Sequence, residues 1–303
     1  MSTLPNQFVR SIDEQGLNVY SIRVLQHGEL ISAWDRSKDC RRVQHSISKS
    51  FTCMAIGLAL EEGLLRLDTR LGEYFAYDVL PQNHPTALSS RELRLIDLLR
   101  MSSGHDTPPL FADERAALKE NDWVKHYMSL ALDRLPGEHF TYSSGDTFMI
   151  SALFQAAAGQ TVKDYLTPRL FEPLGIHNVA WETSPLGITL GCAGLQISNE
   201  ELSRFGQFLL QEGSWKGSQL VPAEWIRRST RKQIETTGDG DWGEGYGYQF
   251  WMCSHDAYRA DGAYGQLCVV LPKQQAVVAV NSQEENMQGI LNAIWDSILP
   301  LLN

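Results

Sequence analysis

The chain has 303 residues, of which 43% are hydrophobic and 20% are charged, a composition typical of a globular protein with a large core. Its formal net charge of −10 argues against a nucleic-acid partner, which needs a basic face, and against attraction to anionic membranes. The five cysteines are odd in number and include no Cys-x-x-Cys pair, so we expect reduced and mostly buried thiols.

The N-terminal residues 1–10 have neither the apolar segment nor the small-residue cleavage site of a signal peptide. No apolar run in the sequence approaches the length of a membrane span. We therefore expect a cytoplasmic protein without a membrane partner. The first predicted elements follow as a β-hairpin over residues 18–35, whose two strands flank a turn at His27-Gly28.

Ser46-Ile-Ser-Lys49 opens the most apolar stretch of the chain, which runs from Phe51 to Leu60. If a helix begins at Ser46, residues 46 and 49 lie on one face, about one turn apart. The helix N-terminus supplies free N–H groups and a partial positive charge, which favour an oxyanion on an attacked carbonyl. A lysine buried there loses its proton more readily and can serve as the base for the serine.

Chance alone produces such a Ser-x-x-Lys pattern about once in a chain of this length. A second match, Ser229-Thr-Arg-Lys232, lies in a basic run without an apolar helix after it, and we expect it at the surface. Ser46 itself could simply cap a helix, since serine is a favoured capping residue. The preceding His45 is interpreted as structural, because adjacent residues on a helix do not face each other.

Residues 46–235 have mainly helical patterns, divided by proline and glycine at several points that include Pro81 and Pro85. Strand patterns return later, and a helix over residues 284–302 closes the chain. The predicted strands cover residues 246–252, 257–260, 266–271 and 276–281. The fold class is therefore α+β, with one antiparallel sheet built from both chain ends and flanked by helices.

This organisation predicts two domains with a cleft between them. Residues 1–45 and 236–303 form a discontinuous sheet domain, and residues 46–235 form an inserted, mainly helical region. We expect the helix that begins near Ser46 to lie at the cleft, where ligand sites commonly form.

Two further segments add candidate groups. Tyr142 stands between a Pro136-Gly137 turn and a helical pattern, where an accessible phenol can transfer the proton of a Ser–Lys pair. Its alternative role is an aromatic wedge between two elements. Asp261-Gly-Ala-Tyr-Gly265 precedes a predicted strand, and glycine there permits a close approach of a ligand, or simply a hairpin turn. Trp242 and Trp251 are expected in the core, with pocket lining as the alternative for Trp242.

In this order, the motifs resemble the serine β-lactamase and penicillin-binding-protein superfamily. They are most similar to its class C β-lactamase-like branch of esterases, D-aminopeptidases and DD-carboxypeptidases. The resemblance covers residues 18–302 and includes similar segments at residues 95–104, 170–176 and 194–198. It implies the β-lactamase/transpeptidase-like fold.

The resemblance also implies roles for individual residues. Ser46 would be the acylated nucleophile, and Lys49 and Tyr142 would share the general-base and general-acid work. Ser144 would contact the substrate. Gly262 and Ala263 would contribute to the oxyanion site, where the N–H groups of Ser46 and Ala263 hold the charge. Enzymes of this kind use neither a metal nor an organic cofactor.

Two departures from the family pattern bear on the substrate. Ser144 stands where the family has asparagine, and Ala260 stands where it has lysine or histidine; Arg259 beside it points to the opposite face of a strand. A substrate carboxylate thus lacks its partner, which favours a small neutral ester or amide. The alternatives are a β-lactamase or D-amino-acid peptidase/DD-carboxypeptidase, and a non-catalytic binding or scaffold protein. The sequence leaves the oligomeric state open.

Overall fold

The structure is a computed structural model that describes residues 4–77 and 89–302. Pro81 and Pro85 lie outside these residues. The helices are α1 (Leu4–Glu14), α2 (Ile47–Glu61), α3 (Leu95–Leu99), α4 (Ala112–Ala117), α5 (Trp123–Met128), α6 (Ser144–Ala158), α7 (Val162–Leu166), α8 (Asn199–Leu210), α9 (Ala223–Ser229) and α10 (Met287–Ser297). The strands are β1 (Val19–Gln26), β2 (Glu29–Asp35), β3 (Arg42–Val43), β4 (Ala180–Trp181), β5 (Leu195–Ile197), β6 (Ser214–Trp215), β7 (Ser218–Gln219), β8 (Trp251–Met252), β9 (Tyr258–Gly262), β10 (Gln266–Leu271) and β11 (Ala276–Ser282).

The largest sheet is antiparallel and takes strands from both ends of the chain, in the order β2-β1-β11-β10-β9-β8. The predicted hairpin forms β1 and β2, and β1 also pairs with β11, where Ile22 lies opposite Val280. The α+β class and the sheet built from both chain ends are therefore confirmed. The domain boundaries at residues 46 and 236 stay predictions.

Helices cover both faces of this sheet, and its central strands β10 and β11 are accordingly buried along their whole length. In β11, Val278 and Val280 belong to a core cluster with residues of α1 and α10, whereas Val277 and Ala279 belong to the main core with α2 and α8. Because successive side chains on a strand point to opposite faces, one strand contributes to both cores.

The predicted strand over residues 246–252 is mostly irregular, since only Trp251 and Met252 form a strand there. The N–H of Tyr248 donates to the carbonyl of Ser229 at 2.8 Å, so this segment packs on the end of α9 instead of pairing with a strand. The expectation that Ser229 lies at the surface is wrong for the same reason, because Ser229 is fully buried under this segment.

Helix α2 is buried almost throughout and contacts α6, α7, α9 and β9. A helix that is apolar on all sides is typical of a core position. Its N-terminus therefore lies between the large sheet and the helices of the middle region, as expected for the cleft. Among the residues described, the structure contains no helix with the length and apolar character needed to cross a membrane.

Candidate active site

Ser46 is the residue before α2 and already has a helical backbone, with φ −72° and ψ −7°. Its side chain makes no capping hydrogen bond, so the hydroxyl is not used to hold the helix end. The preceding His45 has φ 46°, a left-handed conformation that is unfavourable for a non-glycine residue. This turn leaves Ser46 only partly buried, at the wall of a cavity.

Lys49 lies one turn further along α2 and is almost completely buried. Its Nζ is 3.3 Å from the carbonyl oxygen of Cys192 and 3.5 Å from the Ser144 hydroxyl. Burial lowers the pKa of Lys49 to about 8; the positive charge of Arg115 adds to this shift, while the nearby Asp146 opposes it. An appreciable fraction of the amine is therefore neutral near physiological pH and able to accept a proton.

Tyr142 lies just before α6, whose N-terminus is capped by the Ser143 hydroxyl. The Tyr142 ring centroid is 5.2 Å from Lys49 Nζ. Burial raises the pKa of the Tyr142 phenol well above its ordinary value, although hydrogen bonding with Ser46 opposes the shift. Tyr142 is accordingly a protonated phenol that can donate, and Lys49 is the better proton acceptor of the two.

Ser144 and Ala263 line the same cavity as Ser46 and Tyr142. The N–H groups of Ser46 and Ala263 donate to no acceptor in the described residues, so both are available to an oxyanion. Gly262 does not line the cavity. A Cβ atom at Gly262 would lie 2.3 Å from the carbonyl oxygen of Gln44, so its glycine lets β9 approach the segment that leads to Ser46.

The cavity beside Ser46 has a volume of about 450 Å³ and a largely aromatic wall. Its aromatic side chains are Phe111, Tyr142, Trp242 and Trp251, and we call it the aromatic cavity. Both tryptophans line it, and Trp251 also belongs to a buried core cluster against which Trp242 packs, so the expected core packing and the alternative of pocket lining both apply. Such a site accommodates a small, apolar substituent next to the nucleophile.

Asp261 also lines the aromatic cavity, whereas the sequence of its segment had indicated a role only for the glycine that follows it. Its carboxylate accepts a hydrogen bond from Nε of Arg259 at 2.7 Å. Burial raises the pKa of Asp261, and the Arg259 guanidinium opposes that shift. Arg259 itself is fully buried against Trp242 and Trp251. Strand alternation could have revealed this pair, since residues 259 and 261 share one face.

Arg115, on α4, is a second residue that the sequence analysis missed. It lines the aromatic cavity and brings a cation to its wall, although Ala260 stands where the family pattern has lysine or histidine. Ala260, where the motif would have the cation, is fully buried and lines no part of the cavity. No local signal identifies Arg115, because residues 113–115 resemble an ordinary solvated charge run.

The second Ser-x-x-Lys segment and the buried His105 lie outside the aromatic cavity. The Ser229 hydroxyl donates to the carbonyl of Ile226 at 3.1 Å, and Lys232 is exposed and paired with Glu235. His105 is buried against Tyr127, and burial lowers its pKa to about 4. Within residues 4–77 and 89–302, no three His, Cys, Asp or Glu side chains are grouped to hold a metal ion.

Comparison of the sequence with known proteins identifies relatives over much of the chain. A family model described as Beta-lactamase matches residues 15–299. A D-aminopeptidase from Brucella anthropi is 29% identical over 162 residues. That match spans 50% of this chain and only 29% of the relative's length.

Solved structures with the same fold are more distant in sequence. A proposed 6-aminohexanoate-dimer hydrolase from Bacillus anthracis superposes with a TM-score of 0.77 at 20% identity, over 97% of this chain and 81% of that one. An octameric penicillin-binding protein homologue from Pyrococcus abyssi has a TM-score of 0.75 at 20% identity, over 99% of this chain and 77% of that one. These structures establish the β-lactamase/transpeptidase-like fold that the resemblance implied.

Proposed function

Because the chain belongs to the beta-lactamase family, whose model spans nearly all of it, we propose that it hydrolyses a small ester or amide through an acyl-enzyme on Ser46. The observation that carries this proposal is the buried Lys49, one turn from a serine hydroxyl that does not cap its helix. Burial of an ionisable amine costs stability, which favours a functional role for Lys49 over a purely structural one.

In the proposed mechanism, neutral Lys49 accepts the proton of the Ser46 hydroxyl as the serine attacks the carbonyl carbon. The carbonyl oxygen gains negative charge and is held by the N–H groups of Ser46 and Ala263. Tyr142 donates a proton to the leaving group and recovers one from Lys49, which its raised pKa favours. Water then attacks the ester on Ser46, with the same groups acting in reverse, and releases the acid.

The aromatic cavity supports a substrate with an uncharged group next to the reacting carbonyl. Asp261 adds no net charge to that wall, because its carboxylate and the Arg259 guanidinium neutralise each other. The reacting half of the substrate is therefore proposed to be neutral, as the absence of a cation at Ala260 suggested.

A second candidate is a D-amino-acid peptidase. The D-aminopeptidase relative and the carboxylate of Asp261, which can accept hydrogen bonds from an ammonium group, both favour it. Hydrolysis of D-alanine p-nitroanilide, compared with its L-enantiomer and with p-nitrophenyl butyrate, separates the two candidates.

Covalent labelling tests the acyl-enzyme directly. The protein is incubated with a fluorophosphonate, and intact-mass spectrometry should find one adduct, absent in Ser46→Ala. Ser229→Ala is the matched control, since it removes the serine of the other Ser-x-x-Lys segment, and it should label normally. Labelling that persists in Ser46→Ala, or that disappears in Ser229→Ala, would refute the proposal.

A further inference from the structure

A second cavity, which we call the polar cavity, opens beside the aromatic cavity and shares His45 and Arg115 with it. It has a volume of about 620 Å³, and Arg42 and Glu182 contribute charged side chains to its wall. Because the two cavities share a border next to Ser46, a substrate that reacts there can extend into the polar cavity.

Arg42, on β3, is held in place by an aromatic ring and not by an acid from residues 4–77 or 89–302. Its guanidinium lies over the Tyr20 ring, 4.0 Å from the centroid, and makes no ion pair or hydrogen bond within the described parts of the chain. The neighbouring Arg41 differs, because Glu201 neutralises it. Stacking orients Arg42 and leaves its N–H donors free, and an arginine keeps its charge at all relevant pH values.

Arg115 is positioned in a similar way. One of its terminal nitrogens donates to the carbonyl of Leu110 at 2.6 Å and lies 3.8 Å from the Cys192 sulfur. Neither partner is an acid, and no carboxylate pairs with Arg115 in the residues that the structure describes. The other N–H groups of its guanidinium remain available to a ligand.

The remaining groups leave the polar cavity with a net positive charge. Glu182 is exposed and forms no ion pair among the described residues, so it offsets one of the two arginines. Burial lowers the pKa of His45, which keeps its ring neutral near pH 7. Among the described residues, the wall of the polar cavity thus carries unpaired positive charge, although the whole chain has a formal charge of −10.

We propose that the polar cavity binds a carboxylate that the substrate carries away from its scissile bond, with Arg42 and Arg115 as the donors. The inference rests on the proposed acyl-enzyme at Ser46 and names the substrate class for that site. Arginine suits this role because its planar N–H groups match the two oxygens of a carboxylate.

Two size-matched pairs of esters measure this preference. In the first pair, the acyl group carries the charge: mono(4-nitrophenyl) glutarate is compared with its neutral methyl ester. In the second pair, the leaving group carries it: 4-carboxyphenyl butyrate is compared with its methyl ester. For each pair, the anionic preference is the ratio of kcat/KM for the acid to that for the methyl ester.

We expect at least one pair to show an anionic preference in the unmodified protein. Arg42→Gln and Arg115→Gln should each reduce that ratio by about tenfold or more, the usual effect of losing a hydrogen bond to a charged group. Glu182→Gln should increase it, because it removes a like charge. Arg36→Gln is the control, since it deletes an exposed arginine outside both cavities and should leave the ratio unchanged.

Equal kcat/KM within both pairs, or ratios that Arg42→Gln and Arg115→Gln leave unchanged, would overturn the subsite. That result is distinguishable from failure of the proposed function, which appears as turnover of the neutral methyl esters that survives in Ser46→Ala. A ratio that falls equally in Arg36→Gln would also overturn the subsite, because it would reflect only the net charge of the protein.

Discussion

Acylation of Ser46 should accelerate as pH rises, because the proposed base is an amine with a lowered pKa. Burial lowers the pKa of Lys49 from 10.5 to about 8. The neutral form, which alone can accept a proton, then amounts to about 1% at pH 6, about 10% at pH 7 and about 50% at pH 8. We therefore expect kcat/KM for p-nitrophenyl butyrate to increase roughly 50-fold between pH 6 and pH 8 and to level off above about pH 9.

The assay is kcat/KM from about pH 6 to about pH 10, which reports pKa values of the free enzyme. Release of p-nitrophenol is followed at the wavelength where the neutral phenol and its phenolate absorb equally. Ser46→Ala, measured at each pH, supplies the background of hydroxide-driven hydrolysis. A profile that is flat over this range, or that falls above pH 7, would refute the role of Lys49 as the base.

A neighbouring carboxylate provides an independent check on which group titrates. Asp146 is buried, its pKa is raised to about 6 by burial, and its charge raises the pKa of Lys49. Asp146→Asn removes that charge, so the inflection should move to lower pH if it belongs to Lys49. An inflection near pH 6 that disappears in Asp146→Asn would assign the titration to Asp146 instead.

Three further predictions concern the cavity wall and the oxyanion site. Tyr142→Phe should lower kcat for p-nitrophenyl butyrate by roughly 10² or more, the scale of general acid–base catalysis, and near-normal turnover would remove Tyr142 from the mechanism. Asp261→Asn should raise the ratio of nitrocefin to p-nitrophenyl butyrate hydrolysis by about tenfold, equivalent to roughly 1.4 kcal/mol, because it leaves the Arg259 guanidinium without its acidic partner. A ratio that stays constant would contradict this. Gly262→Ala should lower kcat by roughly 10² or more, because the new Cβ would meet the Gln44 carbonyl and displace the Ala263 N–H. An unchanged circular dichroism spectrum would show that the variant is folded. Full activity would show that the approach of β9 to this segment is not needed.

Much of the fold follows from local patterns. The hairpin of β1 and β2 and the strands β10 and β11 alternate or run apolar between clear turn residues, so their type and extent are predictable. The segment from Tyr246 to Phe250 misleads because its aromatic residues resemble a strand, whereas its backbone groups bond to Ser229 and to Ile234 across the fold. Tertiary contacts therefore overrode the local preference there.

The candidate site likewise contains residues that local sequence patterns indicate and residues that they do not. Ser46, Lys49 and Tyr142 stand next to helix starts, and a helix start is visible in sequence. No sequence signal of this kind identifies Arg42 or Arg115, because an arginine in a polar run is expected to be solvated whether or not it lines a cavity. Among the described residues neither has an acidic partner, which is a property of three-dimensional packing, and only the structure brings segments 42 and 115 to one cavity.

Because β1 pairs with β11, the large sheet can be completed only after the C-terminal strands have been synthesised. Strand β1 leaves the ribosome roughly 250 residues before its partner, which at about 5–20 residues per second is a delay of some tens of seconds. During that interval the edge of β1 that will contact β11 stays unpaired and open to association with other chains. Ser46 is also synthesised long before Ala263, so a nascent chain carries the serine and its lysine without the second oxyanion donor. The proposed hydrolytic activity would then require that the last strands have joined the sheet, and a prematurely terminated chain would lack it.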